Sequence, residues 1–489
     1  MVCSRRLRLL AYALVTVCAA GPIAARAGEP PDPGGDPEAL ARLWEALGCG
    51  ERVKTAAAVL ELIGRGDSAV GFLSEKLRPQ KMPLDKDKVA SLVEELDSEK
   101  WQVRQKAQAQ LAALGPPIIP LLRDVLRKGA SAEVKVRIEA VLRELDDSAK
   151  GSPASLRRSW ATTALGRIGS ARALEALVSL RGGAGEDQLR WTKAALLNLA
   201  ETALPPLLDA AGAKARDRKY AAAADLCRKA LAIADKADHY GKGRIRPILE
   251  YLRARQEGRK PPAGMPNERI GWQRVRGENL LGNGGFEAGR AGGSWPTICG
   301  TWGGDKAELL GAQQGVAPRA GRRMLRFHHT NYSRPDASNG AQVLQVIDVS
   351  NFREAIRAGR ARVVASALFN RVAGNAQTDT LFGLTLLAHS GSPAQHARLK
   401  EPIRLECAAI ITDSDPGTWE KLAASMPLPT DTGFLAIQLM AVEDIFNDAV
   451  GVEFHGHYVD DAFLTVVAEP AAGQGARRQR QDGLGAEAP

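Results

Sequence analysis

The sequence predicts a multidomain protein of the α plus β class, with helices in its first part and an antiparallel β-sandwich in its second part. Apolar residues recur at helical spacing between residues 38 and 256. After residue 276 the apolar period becomes two, and nine short runs are separated by turn-rich segments. The change falls beside the glycine-rich stretch 279–289, which we expect to mark the start of the β region.

The first 27 residues have the three-part layout of a secretory signal peptide. Arginines come first, an apolar run follows at 9–20, and small residues lie at 25–27. We therefore predict cleavage near Ala27/Gly28 and a secreted or periplasmic protein. No later stretch approaches the ~20 apolar residues that a transmembrane helix needs. The sequence thus predicts a protein that does not span a membrane.

The composition is that of a globular protein with a small basic excess. Of 489 residues, 45% are hydrophobic and 25% are charged, and the formal net charge is +10. The signal peptide carries four arginines and no acidic residue, so its removal lowers the charge by four, to +6. A nucleic-acid footprint requires basic residues clustered on one face, and this excess is spread along the chain. We therefore expect no nucleic-acid partner.

Four cysteines lie after residue 27, namely Cys49, Cys227, Cys299 and Cys407. The last two share one predicted domain, and export would permit a disulfide between them. Buried free thiols fit the sequence equally well, because free cysteine behaves as a small hydrophobic residue.

Helical hairpins follow one another through residues 38–256. In the first hairpin, apolar residues at helical spacing lie on both sides of a break at 64–67. Later segments, such as 156–161, open with leucine and arginine and carry a central alanine. This pattern resembles HEAT repeats. The resemblance implies an α-solenoid whose concave side binds a protein partner; an irregular helical bundle without a groove is the alternative.

Proline- and glycine-rich segments divide the chain further. We interpret 28–37 and 257–275 as linkers, because their prolines and glycines interrupt helix and strand pairing. The tail, 469–489, has few apolar residues and is expected to be disordered.

The β region is predicted to span 276–468. A short helix is expected at 351–358. The nine predicted strands are 307–312, 324–329, 341–349, 361–369, 381–388, 403–411, 419–426, 434–442 and 452–467.

Two motifs at the ends of this region carry a second resemblance. Asn283-Gly284-Gly285-Phe286-Glu287 lies at one end and Asp461 at the other, with a tryptophan-containing strand between them. Together they resemble carbohydrate-binding modules of families 4, 9 and 22, which have a galactose-binding-like jelly roll. The resemblance implies that 279–289 is the first strand and that it meets the strand of Asp461.

The same resemblance implies a structural calcium ion. Its ligands would be Glu287 and Asp461, with the side chain of Asn283 and nearby carbonyl groups. Calcium takes six to eight oxygen ligands, and glycines let carbonyl groups turn inward. The alternative is that Glu287 only forms hydrogen bonds between the end strands.

A sugar-binding site needs aromatic faces and amide or charged groups at the hydroxyl edge of the sugar ring. The alternative is that the aromatic residues fill the core. The candidate ligand-binding residues are Trp295, Trp302 and Tyr332 in loop-rich segments, and Gln345, Asn370 and Arg371 on or near predicted strands.

Two histidines in the last predicted strand, His455 and His457, are separated by one residue. Alternation along a strand places both imidazoles on one face, which is compatible with zinc or copper, but the sequence shows no third ligand.

The sequence contains no recognised catalytic motif. It has no G-x-S-x-G elbow, no H-E-x-x-H helix and no Walker loop. We therefore expect a secreted non-enzymatic adaptor that binds a protein through its helices and a glycan or cell-envelope polymer through its jelly roll. The alternatives are a structural or protein-interaction protein without sugar binding, and the accessory part of an enzyme that acts on polysaccharide.

Overall fold

The structure is a computed structural model of the chain. None of the helices in the described parts of the chain is long and apolar enough to cross a membrane. The predicted signal peptide and tail, and almost all of the linker 28–37, lie outside the described residues. The described residues are 36–78, 85–149, 152–182, 186–261, 270–289, 291–293, 296, 299–328, 339–373, 380–393, 401–413, 415–443 and 456–468.

The chain divides into two compact units, which meet between Thr192 and Lys193. This division differs from the boundary near residue 256 that the change of periodicity suggests. The first unit is helical, and the second contains helices as well as all the strands. The fold is therefore α plus β, as the sequence predicts.

The first unit contains nine α-helices and the start of a tenth in its described residues. They are α1 (Pro37–Ala46), α2 (Arg52–Gly64), α3 (Asp67–Leu77), α4 (Lys86–Glu95), α5 (Trp101–Ala113), α6 (Ile119–Lys128), α7 (Ala132–Ala149), α8 (Pro153–Ile168), α9 (Ala171–Arg181) and α10 (Glu186–Arg216).

Polar side chains start several of these helices. Asp85 accepts a hydrogen bond from Lys88 N at 2.9 Å, and Ser170 accepts one from Ala173 N at 3.1 Å, so each cap satisfies a free amide of the first turn. The predicted break at 64–67 is confirmed, because α2 ends at Gly64 and α3 begins at Asp67.

The helices of the first unit form two packed groups. The helices α4 to α7 share a core that includes Leu96, Leu111 and Ile138. In the other group, α2 packs against α8, and α3 packs against both α8 and α9. Helices on either side of α4–α7 are therefore in contact, whereas a simple solenoid stacks each hairpin on the next one. The HEAT-like solenoid stays a prediction.

The helical part of the second unit has its own core. It comprises the end of α10, α11 (Tyr220–Lys236), α12 (Lys242–Gln256) and α13 (Trp272–Arg276). Ile270, Trp272 and Val275 are buried in this core. Residues 270–275, which the sequence suggests as the end of a linker, are thus packed in the structure.

Among the described residues, ten strands form two five-stranded sheets, and every pairing between these strands is antiparallel. The first sheet has the order β1-β4-β9-β6-β7, and the second has the order β2-β3-β10-β5-β8. The strands are β1 (Trp302–Gly304), β2 (Ala307–Leu310), β3 (Met324–Phe327), β4 (Asn339–Asp348), β5 (Ala361–Arg371), β6 (Leu381–Ser390), β7 (Arg404–Ile411), β8 (Glu420–Pro427), β9 (Thr432–Glu443) and β10 (His457–Ala468).

The two sheets share one hydrophobic core. Phe369 of the second sheet stacks on Phe382 of the first sheet, with ring centroids 4.9 Å apart. Each of the nine predicted runs contains a strand, and helix α14 (Arg353–Arg357) lies inside the predicted 351–358. The prediction of antiparallel β structure is therefore confirmed, while the three-residue strand β1 was not predicted.

The prediction that 279–289 forms the first strand is wrong, because this stretch is a series of turns. Asn283 and Phe286 have φ angles of 50° and 55°, which lie outside the extended region. The predicted meeting with the last strand is confirmed. Leu280 N donates to Leu464 O, and Ala462 N donates to Gly284 O, each at 2.8 Å.

Candidate functional site

A bulge in β10 organises the polar residues near the motif 279–289. The pairing of β10 with β5 shifts register between Asp460 and Phe463, and Asp461 has a φ of 45°. The bulge gives Asp460 and Asp461 different partners.

Asp461 forms an ion pair with a buried arginine. The Nη1 atom of Arg276 lies 3.0 Å from Oδ1 and 3.2 Å from Oδ2 of Asp461. The guanidinium group also lies over the ring of Phe463, 4.0 Å from its centroid. Asp461, a predicted calcium ligand, is thus paired with the guanidinium group of Arg276.

The other two predicted calcium ligands bind backbone groups. Glu287 accepts hydrogen bonds from Arg322 N at 2.9 Å and from Arg323 N at 3.1 Å, and these bonds lower its pKa. The amide of Asn283 bonds to both N and O of Ala288. In the described parts of the chain, no group of three or more His, Cys, Asp or Glu side chains is placed to hold a metal ion.

Each of the three oxygen-bearing groups therefore has a protein partner in the structure. Calcium binding stays a prediction, and a chelator tests it below.

Trp302 and Gln345 are buried next to the motif 279–289. Trp302 is 6% exposed, its ring lies 5.2 Å from that of Phe286, and its Nε1 donates to Asn283 O. Gln345 donates to Gly282 O and accepts from Gly282 N. Both side chains hold the turns of this motif, and their predicted role in glycan binding is untested.

Asn370 and Arg371 are also buried, at the end of β5. Asn370 donates to Pro416 O, and Arg371 Nε donates to Asp413 O, both at 2.9 Å. These two bonds fix the loop between β7 and β8. The other candidates, Trp295 and Tyr332, lie outside the described residues.

No disulfide joins Cys299 to Cys407; Cys299 is half-buried and Cys407 is exposed. His457 is buried, and its Nε2 lies 3.0 Å from Thr380 Oγ1. His455 lies outside the described residues.

Sequence reasoning missed a buried charge cluster between the helices of the second unit and β8. Glu201 is fully buried, and its Oε1 lies 3.2 Å from His239 Nε2 and 3.0 Å from Tyr240 Oη. Lys421 Nζ lies 3.5 Å from Glu201 Oε2 and also donates to Glu201 O. Lys421 further lies over the ring of Trp272, at 5.6 Å.

The charges in this cluster set its titration. Burial alone would strongly raise the pKa of Glu201, but His239, Lys421 and Arg276 outweigh it and lower that pKa to about 2. Burial lowers the pKa of Lys421. Burial also raises the pKa of Tyr240, and the negative charge of Glu201 raises it further. The carboxylate of Glu201 has no exposed surface.

Asn198 lies one turn before this cluster and pairs with the outer strand of the second sheet. Its Oδ1 accepts from Ala423 N at 2.8 Å, and its Nδ2 donates to Ala423 O at 3.3 Å. The side-chain amide therefore replaces a neighbouring strand at this position.

Two half-exposed glutamines lie on the face of the first sheet that is opposite the shared core. Gln342 of β4 hydrogen-bonds to Gln438 of β9. Gln438 is in register with the buried Thr385 of β6, which is in register with the exposed Cys407 of β7. The half-exposed Met440 lies against Gly383, where an added Cβ would come within 2.7 Å of its Cγ.

This pair of glutamines could have been found from the sequence. Gln342 and Gln438 are polar residues that alternate with apolar ones inside predicted strands, and such residues face away from the core. The aromatic residues in loops were predicted as binding residues instead, and these two glutamines were not.

No protein-family model and no curated protein matches the chain. Similar solved structures include the family 61 carbohydrate-binding module TmCBM61 in complex with β-1,4-galactotriose. It is 18% identical with a TM-score of 0.24, and the match covers 40% of this chain and 100% of the module.

Two further structures show the range of the likeness. The tandem of family 22 modules from Paenibacillus barcinonensis Xyn10C is 16% identical with a TM-score of 0.22, over 35% of this chain and 47% of the tandem. The enzymatically active domain of tailspike protein 4 from Bacteriophage CBA120 is 13% identical with a TM-score of 0.24, over 43% of this chain and 25% of that domain. At these TM-scores the likenesses carry no argument about ligand or activity.

Proposed function

We propose that the chain is a secreted, non-enzymatic binding protein whose second unit binds a glycan at half-exposed residues on the face of the first sheet that is opposite the shared core. Two features support this: the motif resemblance to carbohydrate-binding modules, and two five-stranded antiparallel sheets around one core. We further propose that these sheets form a jelly-roll sandwich.

The half-exposed pair of Gln342 and Gln438 is the observation that carries the glycan site. An amide offers both donors and an acceptor, which suits the hydroxyl groups of a sugar. On the same face, the half-exposed side chain of Met440 lies against Gly383 and supplies apolar surface. A sugar ring has a polar edge and an apolar face, so both kinds of group are needed side by side.

Two further parts of the proposal rest on sequence resemblance alone. The helices are proposed to form a HEAT-like surface for a protein partner, and the second unit is proposed to hold a structural calcium ion. A chelator that lowers the melting temperature of the chain would support the calcium ion. An unchanged melting temperature would remove it from the proposal.

The glycan site is tested by affinity electrophoresis of the full chain in gels containing neutral polysaccharides. The first probe is β-1,4-galactan, because the family 61 module is in complex with β-1,4-galactotriose. The second probe is xylan, because another similar structure is a family 22 xylan-binding domain. Binding should weaken at least about fivefold in the Gln342→Ala/Gln438→Ala variant, because two hydrogen bonds are lost.

The matched control is Gln102→Ala/Gln110→Ala, which removes two exposed amides from α5 in the first unit. It should bind as the unaltered chain does. Absence of retardation on every neutral glycan tested, or equal weakening in both variants, would contradict the proposed site. Retention of folding is checked by the melting temperature of each variant.

A further inference from the structure

Two carboxylates hold the backbone of the loop between β2 and β3 through hydrogen bonds. Asp460 accepts hydrogen bonds from Arg319 N at 2.8 Å and Ala320 N at 3.2 Å. Glu287 accepts from the next two amides of the same loop, those of Arg322 and Arg323. Four amides within five residues are therefore held by acidic groups from two distant parts of the sequence.

Gly321 lies between the two pairs of amides. Its φ is 67°, and an added Cβ would lie 2.5 Å from the carboxyl carbon of Glu287. The close approach of Glu287 to the backbone thus requires glycine here. Since the backbone is held in this way, the positions from which the neighbouring side chains extend are set as well.

Three arginine side chains project from this fixed loop. Arg319, Arg322 and Arg323 are all exposed. Within the described parts of the chain, no hydrogen bond or ion pair engages their guanidinium groups. Asp460 accepts a hydrogen bond from the backbone amide of Arg319, and Glu287 accepts hydrogen bonds from those of Arg322 and Arg323. The loop therefore presents three exposed positively charged side chains on a backbone that two carboxylates hold in place.

We propose that Arg319, Arg322 and Arg323 bind an acidic polysaccharide through its carboxylate or sulfate groups. A guanidinium group matches a carboxylate or sulfate with two parallel hydrogen bonds, and a rigid loop loses little entropy when it binds. The choice of a polysaccharide rests on the proposed function. The loop joins strands of the second sheet, whereas the neutral-glycan face belongs to the first sheet, so each can fail separately.

A nucleic acid is the less suitable polyanion for this loop. Binding to single strands uses aromatic side chains between the basic groups, and residues 311–323 contain no aromatic residue. A duplex requires a longer track of phosphate contacts than three adjacent arginines provide.

Isothermal titration of the full chain with polygalacturonate and with a sulfated polysaccharide tests the proposal. The triple variant Arg319→Gln/Arg322→Gln/Arg323→Gln should bind at least about tenfold more weakly, because exposed ion pairs contribute modestly but add up. Binding by the unaltered chain should weaken at high salt.

The matched control is Arg253→Gln/Arg353→Gln/Arg357→Gln, which removes three exposed arginines elsewhere in the second unit. It should lose less than about twofold, within the range of general charge effects. A second variant, Gly321→Ala, keeps every charge but displaces Glu287, and should also weaken binding. Its circular dichroism and melting curve show whether the rest of the chain stays folded.

Several results would overturn the proposal. One is equal loss of binding in the two triple variants, and another is full retention in the loop variant. A third is tighter binding to duplex DNA or to anionic vesicles than to either polysaccharide, with the same dependence on Arg319, Arg322 and Arg323. If neutral glycans bind but acidic ones do not, this inference fails and the proposed function stands. If acidic polysaccharides bind through the loop but neutral glycans do not bind, the proposed site on the first sheet fails and this inference stands.

Discussion

Two buried carboxylates in the second unit show opposite titration. Glu201 lies among cationic groups, and its pKa falls to about 2 even though burial opposes ionisation. Asp460 is also fully buried but accepts hydrogen bonds only from backbone amides, and burial raises its pKa to about 6. The amide hydrogen bonds to Asp460 offset only part of the desolvation cost, whereas the hydrogen bond from His239 and the charges around Glu201 together exceed it.

The test with the largest expected effect removes the lysine that lies beside Glu201. In Lys421→Met, the carboxylate loses its nearest ammonium group, and the free energy of unfolding should fall by about 3 kcal/mol or more. Denaturant unfolding measures this change. The matched control Lys229→Met removes an exposed lysine of α11 and should change stability by less than about 0.5 kcal/mol.

Adding Glu201→Gln to Lys421→Met should recover part of the lost stability, because no buried charge is then left unbalanced. Unchanged stability of the Lys421→Met variant would show that the other groups around Glu201 are enough to stabilise its charge. Equal stability of single and double variants would show that the loss comes from packing.

The pH dependence of stability provides a smaller test. The pKa of Asp460 is raised on folding from about 3.9 in the unfolded chain, so its contribution is fully present below about pH 4 and is lost as pH rises through about 6. Between pH 4 and 7 this contribution should decrease by at most about 3 kcal/mol. The contribution of Glu201 to stability depends on pH in the opposite direction, because it is lost only as pH falls below about 4 towards 2.

The variant Asp460→Asn removes the titrating group at the bulge. Its melting temperature should vary less between pH 5 and pH 7 than that of the unaltered chain. Glu201→Gln should leave the variation in this range unchanged, because Glu201 does not titrate there. An identical pH profile for the unaltered chain and Asp460→Asn would contradict the raised pKa.

The smallest expected effect concerns a neutral side chain beside the charge cluster. Asn198→Ala removes both hydrogen bonds to Ala423. It should lower the free energy of unfolding by about 1–2 kcal/mol, since one buried backbone amide loses its partner. Asn198→Asp, which keeps the acceptor for Ala423 N, should cost less than the alanine variant. If both variants cost the same, the hydrogen bond to Ala423 N contributes nothing.

Sequence periodicity predicted most of the fold but little of its polar structure. The alternation in 341–349 and 434–442 was enough to place β4 and β9, because one face of each strand is buried. The turns at 279–289 were mistaken for a strand, since the positive φ angles of Asn283 and Phe286 arise from contacts with β10 that are distant in sequence.

The polar networks depend on pairings across long stretches of chain. Glu201 meets Lys421, and Arg276 meets Asp461, across about two hundred residues, so no local pattern indicates either pair. Gln342 and Gln438 are different, because their outward position follows from strand alternation alone. What could be predicted is thus set by local periodicity, and what could not is set by tertiary contacts.

The pairing of Asn198 with Ala423 has a consequence for how this protein can be divided. β8 is the last strand of its sheet, and α10 supplies the side chain that occupies part of its free backbone. A fragment beginning at residue 276 would present that strand bare. Exposed outer strands pair with copies of themselves, so such a fragment should associate and precipitate, whereas one beginning at residue 193 should stay monodisperse.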